Sequence, residues 1–438
     1  MGETTLATIV DRLWQDLGDY ISEVTTTNIT TDNDVISTHF VQWDRGNNTF
    51  IDWWAYIEGV ANPLTERQIS DYVTTTGVVT VRGAALAAES AAMTVRLSKY
   101  RRTDLLRAIV DAIREIYPAL HLPVDNRTLV TGNILPNSHF ENWTLTTIPD
   151  KWASSGTSQL VTEENTIIRG GTSSAKLDNT GAAMIFYCSH LEYPRLLDLQ
   201  GKTVTFKAWV NTDTASHARL QIYTKQADGT EQTTLLSSYH SGGSEYELLE
   251  LEDQDINDDL TDIAIRVTTS VSDKFVYVDD ARVTGLDLDE YLLPLDLQNG
   301  AITQVDVQSR GHSDDICDDL HLPYWQQVVG WDTISDGADK YIKLPFMYPA
   351  KRRIRLLGTT PLETLAVAAD TISLDGDKIN LLVAYSKYVL FRKLKSGPTS
   401  EDTNRFRIAE QEAYNEFQRL LPNKGMGMKG QMLNLPVY

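Results

Sequence analysis

The amino-acid sequence predicts an α+β multidomain protein: a discontinuous four-helix hub, a small β-barrel or meander as an excursion from it, and an inserted all-β sandwich. Three observations predict this. Amphipathic helical stripes occur near both ends of the chain and not in its middle. Short alternating runs separated by Gly, Asn and Asp fill the interval from Asn133 to about Gly285. At the start of that interval, "NILPNSHFENWTLTTIPDKWASSGTSQL" sets two tryptophans around an Ile-Pro turn, as the opening of a β-sandwich does.

The first helix lies within residues 1–29. Thr4 or Thr5 caps it, and Leu6, Ile9, Val10, Leu13, Trp14 and Leu17 recur at helical spacing before Gly18. The segment 30–101 alternates apolar and polar residues in "STHFVQW", "DWWAYIEG", "RQISDYV", "VVTVRG" and "MTVRLSKY". Turn signals at Gly46-Asn47-Asn48, Asn62-Pro63 and Thr76-Gly77 make this the small β domain. A second hub helix falls in 102–130, with Thr103 as N-cap, a stripe of Leu105, Leu106, Ile109, Ile113 and Ile116, and Pro118 as its stop. Residues 131–286 form the sandwich, with strands at "SAKLDN", "AMIFYCSHL", "KTVTFKAWVNT", "ARLQIYTKQ", "QTTLLSSYH", "EYELLELED", "DIAIRVTTS" and "KFVYVDDARVTG". Residues 287–374 read as a β-rich return to the hub, with Trp325 and Trp331 in a loop. Two helices follow within 375–421, the first capped near Asp375 or Asp377 and stopped by Gly397-Pro398, the second starting at Thr399 or Ser400 and stopped by Pro422. Four amphipathic stripes from separated stretches are buried most simply against one another. Residues 422–438, "PNKGMGMKGQMLNLPVY", have no period and read as an extended arm.

Composition sets the boundaries of function. The chain has 438 residues, 42% hydrophobic and 23% charged, which is ordinary globular composition. Its net charge of −21 argues against non-specific wrapping of nucleic acid. Cys188 and Cys317 are too few for a disulfide framework, so synthesis in a reducing cytoplasm is expected. The opening residues carry acids where a secretory signal carries bases, and no run approaches membrane-spanning length.

Catalytic signatures are lacking. There is no GxSxG and no HExxH, and "GMGMKG" lacks the strand and helix context of a phosphate loop. His39, His121, His139, His190 and His321 are scattered without metal spacing and read as structural. The protein is therefore expected not to be an enzyme.

Two resemblances follow from ordered motifs. "W-W-x-x-I-x-G", "R-x-I-x-D-Y", "T-G-x-V-T-V", "L-L-R-A-I-x-x-A-I-R-E-I-Y-P" and "L-L-V-A-Y-S-K-Y-V-L-F-R-K-L" together resemble the head-to-tail adaptor (connector, neck) proteins of tailed bacteriophages, over roughly residues 4–125 and 287–421. That resemblance implies a virion protein in a ring, commonly of twelve copies, that joins the portal to a tail or stopper protein and continues the DNA channel. It also implies that the C-terminal arm reaches the portal, with Met428, Met432, Leu433, Leu435, Pro436, Val437 and Tyr438 as its docking residues. The second set, "N-I-L-P-N-S-H-F-E-N-W", "R-G-G-T-S-S-A-K-L", "V-T-F-K-A-W-V" and "F-V-Y-V-D-D-A-R-V-T-G", resembles carbohydrate-binding-module jelly rolls. It implies a jelly-roll fold projecting outward, and a structural Ca²⁺ held by Glu141 and Asp279 with the Asn137 carbonyl.

Sugars stack their C–H faces on aromatic rings, so Trp143, Tyr187, Tyr193 and Tyr223 are the expected glycan contacts, while Trp152 and Trp209 occupy positions that normally fill the core. The basic run "PAKRRIRLLG" places Lys351, Arg353 and Arg355 on one side of a strand, as a contact for an acidic partner or for passing DNA. The adaptor is the leading expectation. The alternative is a glycan-binding virion adhesin.

Overall fold

The computed structural model describes residues 3–30, 32–43, 46–155, 160–179, 183–270, 274–309, 325–337, 339–366, 369–374, 376–395 and 400–421. The arm residues Met428, Met432, Leu433, Leu435, Pro436, Val437 and Tyr438, and Cys317, lie outside them. The chain divides into two compact units, Met1–Leu122 with Pro361–Tyr438, and Pro123–Thr360.

In the first unit the helix Leu6–Leu17 starts where Thr5 Oγ1 accepts the Thr8 N–H (3.2 Å) and ends at Gly18, whose φ of 80° suits glycine. It buries Leu6, Ile9, Val10, Leu13 and Trp14. The helix Arg102–Glu115 begins without a cap from its own side chains. Thr103, the expected cap, instead donates its hydroxyl to Glu66 (2.8 Å), and Glu66 also accepts the Arg102 N–H. A carboxylate from the strand Thr65–Val73 thus does the work of the cap, where the N-terminal dipole favours negative charge. These two helices and the helices Gly376–Leu394 and Ser400–Leu420 contribute Trp14, Ile109, Leu382 and Phe417 to a single apolar cluster. Tyr385 and Tyr388 meet Phe417 and Tyr414 at 4.8 and 5.3 Å between ring centroids.

The small β domain is a six-stranded sheet in the order Tyr20–Val24, Thr94–Ser98, Trp54–Glu58, Thr65–Val73, Val78–Val81, Asp34–Ile36. Its edge strands approach one another: Thr26 N–H donates to Ile36 O (3.1 Å) and Ser37 Oγ to Val24 O (2.6 Å). The sheet therefore curls towards a barrel around Phe40, Phe50, Tyr72 and Val95. It begins at Tyr20, earlier than the expected residue 30. "STHFVQW", expected as a strand, contains the 3₁₀ turn Thr38–Trp43, because Phe40 plugs the core and its carbonyl accepts the Tyr72 hydroxyl (2.8 Å).

The second unit is larger than the expected insertion. The chain enters on Leu122–Val130 and leaves on Arg353–Thr360, and these strands are neighbours in a four-stranded sheet with Ala301–Gln308 and Trp325–Gln327. Trp325, expected in a loop, pairs with Gln308. A three-stranded sheet, Glu290–Leu292, Asp339–Lys343 and Asp332–Asp336, packs with it around Tyr291, Val305, Ile342, Ile354 and Leu356. The return segment through Thr360 was expected to rejoin the helices. It packs here instead, because its apolar side chains face one another and Val124 and Leu129, and Tyr341 enters the sandwich core.

The sandwich consists of two five-stranded antiparallel sheets. The first has the order Leu160–Glu164, Ser174–Asp178, Phe275–Thr284, Thr203–Asn211, Tyr246–Asp255. The second has the order Glu231–Leu236, Ala218–Gln226, Leu260–Thr269, Ile185–Ser189, Ala153–Ser155. The chain crosses repeatedly between them, the jelly-roll arrangement. Phe140, Trp152 and Phe186 meet in its core at 4.8–5.7 Å. Phe186→Ala should cost the sandwich about 3–5 kcal/mol in urea denaturation followed by tryptophan fluorescence; a loss below about 1 kcal/mol would contradict the packing described.

Candidate functional site

Strand alternation decides what the second sheet shows to the outside. In Ala218–Gln226 the residues Ala218, Leu220, Ile222 and Thr224 are buried, so Arg219, Gln221, Tyr223 and Lys225 point outward. In Leu260–Thr269 the outward set includes Asp262, Arg266 and Thr268, and in Ile185–Ser189 it is Ile185 and Tyr187. Register then assembles a face. Tyr187 pairs with Arg266 and Arg266 with Gln221, while Tyr223 pairs with Ala264 two residues away. Arg266 thus lies between Tyr187 and Tyr223, its guanidinium carbon 3.8 Å from the Tyr223 ring centroid. Arg219, one diagonal step along the same face, stacks on Tyr239 at 4.6 Å.

The electrostatics of this face are unusual. Arg266 Nε is buried without a hydrogen-bond partner, and burial pulls the guanidinium below its ordinary pKa. Burial and a hydrogen bond shared with Glu231 push the Tyr223 hydroxyl up. That hydrogen bond, with Lys225, holds Glu231 down. His190 Nδ1 lies 3.0 Å from Asp262 Oδ1. Two tyrosine rings and the Arg266 guanidinium thus share one outward side, with Gln221 beside Arg266 donating its amide to Thr233 O (3.2 Å). This mix of groups suits an extended polar ligand with apolar faces.

Of the expected glycan contacts, Tyr187 and Tyr223 belong to this face and the other two do not. Trp143 packs on the sandwich core and donates its indole N–H to Phe140 O (2.5 Å). Tyr193 is 3% exposed, and burial, with Tyr341 beside it, raises its hydroxyl pKa. Trp152 is in the core as expected, but Trp209 points outward from the first sheet and is covered by Arg169 at 4.3 Å. Arg266, Gln221 and Arg219 were not singled out in the sequence; only the period of two along "ARLQIYTKQ" and "DIAIRVTTS" signals that they share a side.

Glu141 and Asp279 do not fit the expected Ca²⁺ site. Asp279 Oδ2 accepts the N–H groups of Arg169 (2.8 Å) and Gly170 (3.0 Å), and its Oδ1 accepts that of Asp280 (2.7 Å). Glu141 accepts the Thr172 N–H (2.9 Å) and the Thr172 hydroxyl. Asn137, whose carbonyl was to complete the set, spends its side chain on Asn142 and Asp150 O. The two acids clasp the loop between strands, and a Cβ on Gly171 would meet Glu141 Oε1 at 1.8 Å. Among the described residues no group of three His, Cys, Asp or Glu side chains could hold a metal. A β-bulge opposite Ala208, with Asp280 at φ 48°, interrupts the alternation between the consecutive acids Asp279 and Asp280, and both are buried. Burial opposes the Asp280 charge, but His139 and the fork of Arg282 (2.6 and 2.8 Å) outweigh it and hold its pKa low.

The basic run is also committed differently. Arg355 grips Asp125 with two bonds of 2.7 and 2.8 Å, and Lys351 precedes the strand in a left-handed turn, so Lys351, Arg353 and Arg355 form no row of exposed cations.

No family model and no curated protein matches the chain. Solved structures that align with part of it include the C-terminal family 22 carbohydrate-binding module of Clostridium thermocellum Xyn10B (18% identity, 35% of this chain and 96% of that one, TM-score 0.27). Others are the CBM22-1 xylan-binding domain of Paenibacillus barcinonensis Xyn10C (12%, 37% and 96%, 0.29) and the enzymatically active domain of tailspike protein 4 of bacteriophage CBA120 (15%, 35% and 22%, 0.28). The jelly-roll assignment rests on the strand order and register above.

Asp279 gives a pH test. Burial raises its carboxyl from 3.8 to about 7, so the folded state holds a proton that the unfolded chain has lost. Its contribution is therefore fully present below pH 3.8 and is lost as pH rises to about 7, by at most about 4 kcal/mol. In calorimetric melts from pH 4 to 8, Asp279→Asn should flatten this decline; an unchanged slope would remove Asp279 as its source.

Proposed function

We propose that the outer face of the second sandwich sheet binds a glycan and that the protein is a glycan-binding adhesin of a phage particle, without catalytic activity. The observation that supports this best is the joint placement of Tyr187 and Tyr223 on either side of Arg266 on one outward sheet face. Rings held by a rigid sheet offer stacking surfaces at little entropic cost, and the polar groups between them supply direction. The face crosses several strands, so it suits a run of sugar units better than a single one. Cations lie over rings on both outer faces, Arg169 on Trp209 and Lys176 4.2 Å over Phe275 on the first sheet, as Arg266 on Tyr223 on the second. The reading therefore rests on the exposed edges of the tyrosines and on the unpartnered Arg266 rather than on bare rings.

The phage setting rests on the adaptor-like motifs alone. A ring of copies, contacts to portal and tail proteins, and DNA passing through a channel are implied by those motifs, and the comparisons lend them no support. Cryo-electron microscopy of a particle carrying the protein tests the setting: density as a closed ring beneath the portal favours the adaptor, and density at a fibre or tailspike favours the adhesin.

Binding itself is tested by native affinity electrophoresis of the full chain in gels containing soluble xylan, β-glucan, galactan and bacterial capsular polysaccharides. Tyr187→Ala and Tyr223→Ala should each weaken retention roughly fivefold to tenfold, the worth of one stacked ring. Tyr277→Ala, on the other sheet, should leave it unchanged. Retention that survives both tyrosine substitutions would sink the proposed face.

A further inference from the structure

We propose that this face selects an acidic glycan, one whose sugars carry a carboxylate; the inference rests on the glycan-binding reading above. Arg219 and Arg266 lie on the same outward side, opposite Thr268 and Gln221 respectively, and each is stacked on a tyrosine. Among the described residues neither guanidinium forms an ion pair or a hydrogen bond, and Arg266 Nε is buried unpartnered. Three other arginines of the same unit are paired, Arg282 forking Asp280, Arg355 forking Asp125 and Arg195 holding Glu290 at 2.9 Å, while Arg352 also has a buried Nε without a partner.

The nearby acids do not fill the gap. Asp262 faces His190, and Glu231 faces Lys225 at 3.3 Å as well as Tyr223. A chain with 60 acidic and 39 basic residues has no shortage of carboxylates, and Asp262 and Glu231 act on Arg266 from a distance. Yet among the described residues neither arginine of this face has a carboxylate within ion-pair contact. Their rings hold each guanidinium plane in place, so a carboxylate arriving edge-on meets preorganised N–H donors. The depressed pKa of Arg266 is the sign of its desolvation. The overall charge of −21 repels polyanions at long range, so retention of an acidic polymer requires a local site.

The test uses the full chain in affinity gels and isothermal titration against polygalacturonate, alginate and polysialic acid, which separate uronate from sialate sources. Fully methyl-esterified polygalacturonate, dextran sulfate and the neutral polymers named above complete the panel. The proposal expects retention by at least one carboxylated polymer, loss on esterification, weakening by salt, and a roughly tenfold or greater loss in both Arg219→Gln and Arg266→Gln, each shown to melt like the wild type. Equal binding of acid and ester, or binding unchanged in the arginine variants, overturns the acidic selection while leaving the glycan face intact. Retention by dextran sulfate that equals the carboxylated polymers and ignores both substitutions also overturns it. A folded wild-type chain retained by no polymer, neutral or acidic, overturns the inference and the glycan-binding reading together.

Discussion

Two adjacent strands close the second unit, and the rest of it hangs from them. Leu122–Val130 brings the chain in and Arg353–Thr360 takes it out, side by side in one ladder. The pair is locked at its inner end by Thr131, which accepts the Arg352 N–H (2.9 Å) through its hydroxyl and donates it to Pro349 O (2.7 Å). Along the strands, hydrogen bonds from Arg355 and then Arg127 hold the Asp125 carboxyl well below the usual carboxylate range. Because both crossings are fixed at one place, the length of chain between them is free to vary without moving the residues at which the first unit is interrupted. That is the physical licence for a sandwich in the middle of a chain whose ends are helical.

Within the sandwich, alternation does the sorting. Apart from the bulge in Phe275–Thr284, alternate side chains of the strands go to the core. The remainder is divided between two outer faces that both carry aromatic rings and cations but differ in which polar groups are satisfied. On the first sheet the rings are already covered, with Arg169 on Trp209 and the Tyr246 hydroxyl donated to Ile167 O (3.0 Å). On the second sheet Arg266 and Arg219 likewise lie over Tyr223 and Tyr239, but Arg266 Nε has no hydrogen-bond partner. Two faces built from the same kinds of residue thus have different capacities for a ligand, and the difference lies in which polar groups are already satisfied.

The acids of the sandwich show the same economy. Glu141 and Asp279 come from opposite ends of the domain sequence and hold one loop through its backbone N–H groups, with Gly171 accommodating the approach. Carboxylates that a cation could have used are spent on the fold. Asp280, at the bulge, is neutralised by Arg282 within the same strand.

By itself the sequence determined the period of each element: the stripe of Leu6, Ile9, Leu13 and Trp14, the alternation in "ARLQIYTKQ", and the turn residues between strands, all of which act over a few neighbouring positions. Those local signals sufficed for the sandwich and for the outward placement of two of the four expected contacts, Tyr187 and Tyr223. What only the tertiary structure decided was pairing. Register set Arg266 between those tyrosines, sent Tyr193 into the core beside Tyr341, turned Trp209 outward under Arg169, and attached the return segment to the sandwich. It also turned Arg355 from a free cation into the partner of Asp125. Each of these depends on contacts between residues far apart in the chain, and one residue's slip in register would reverse the face of every side chain involved, so no local period can encode them.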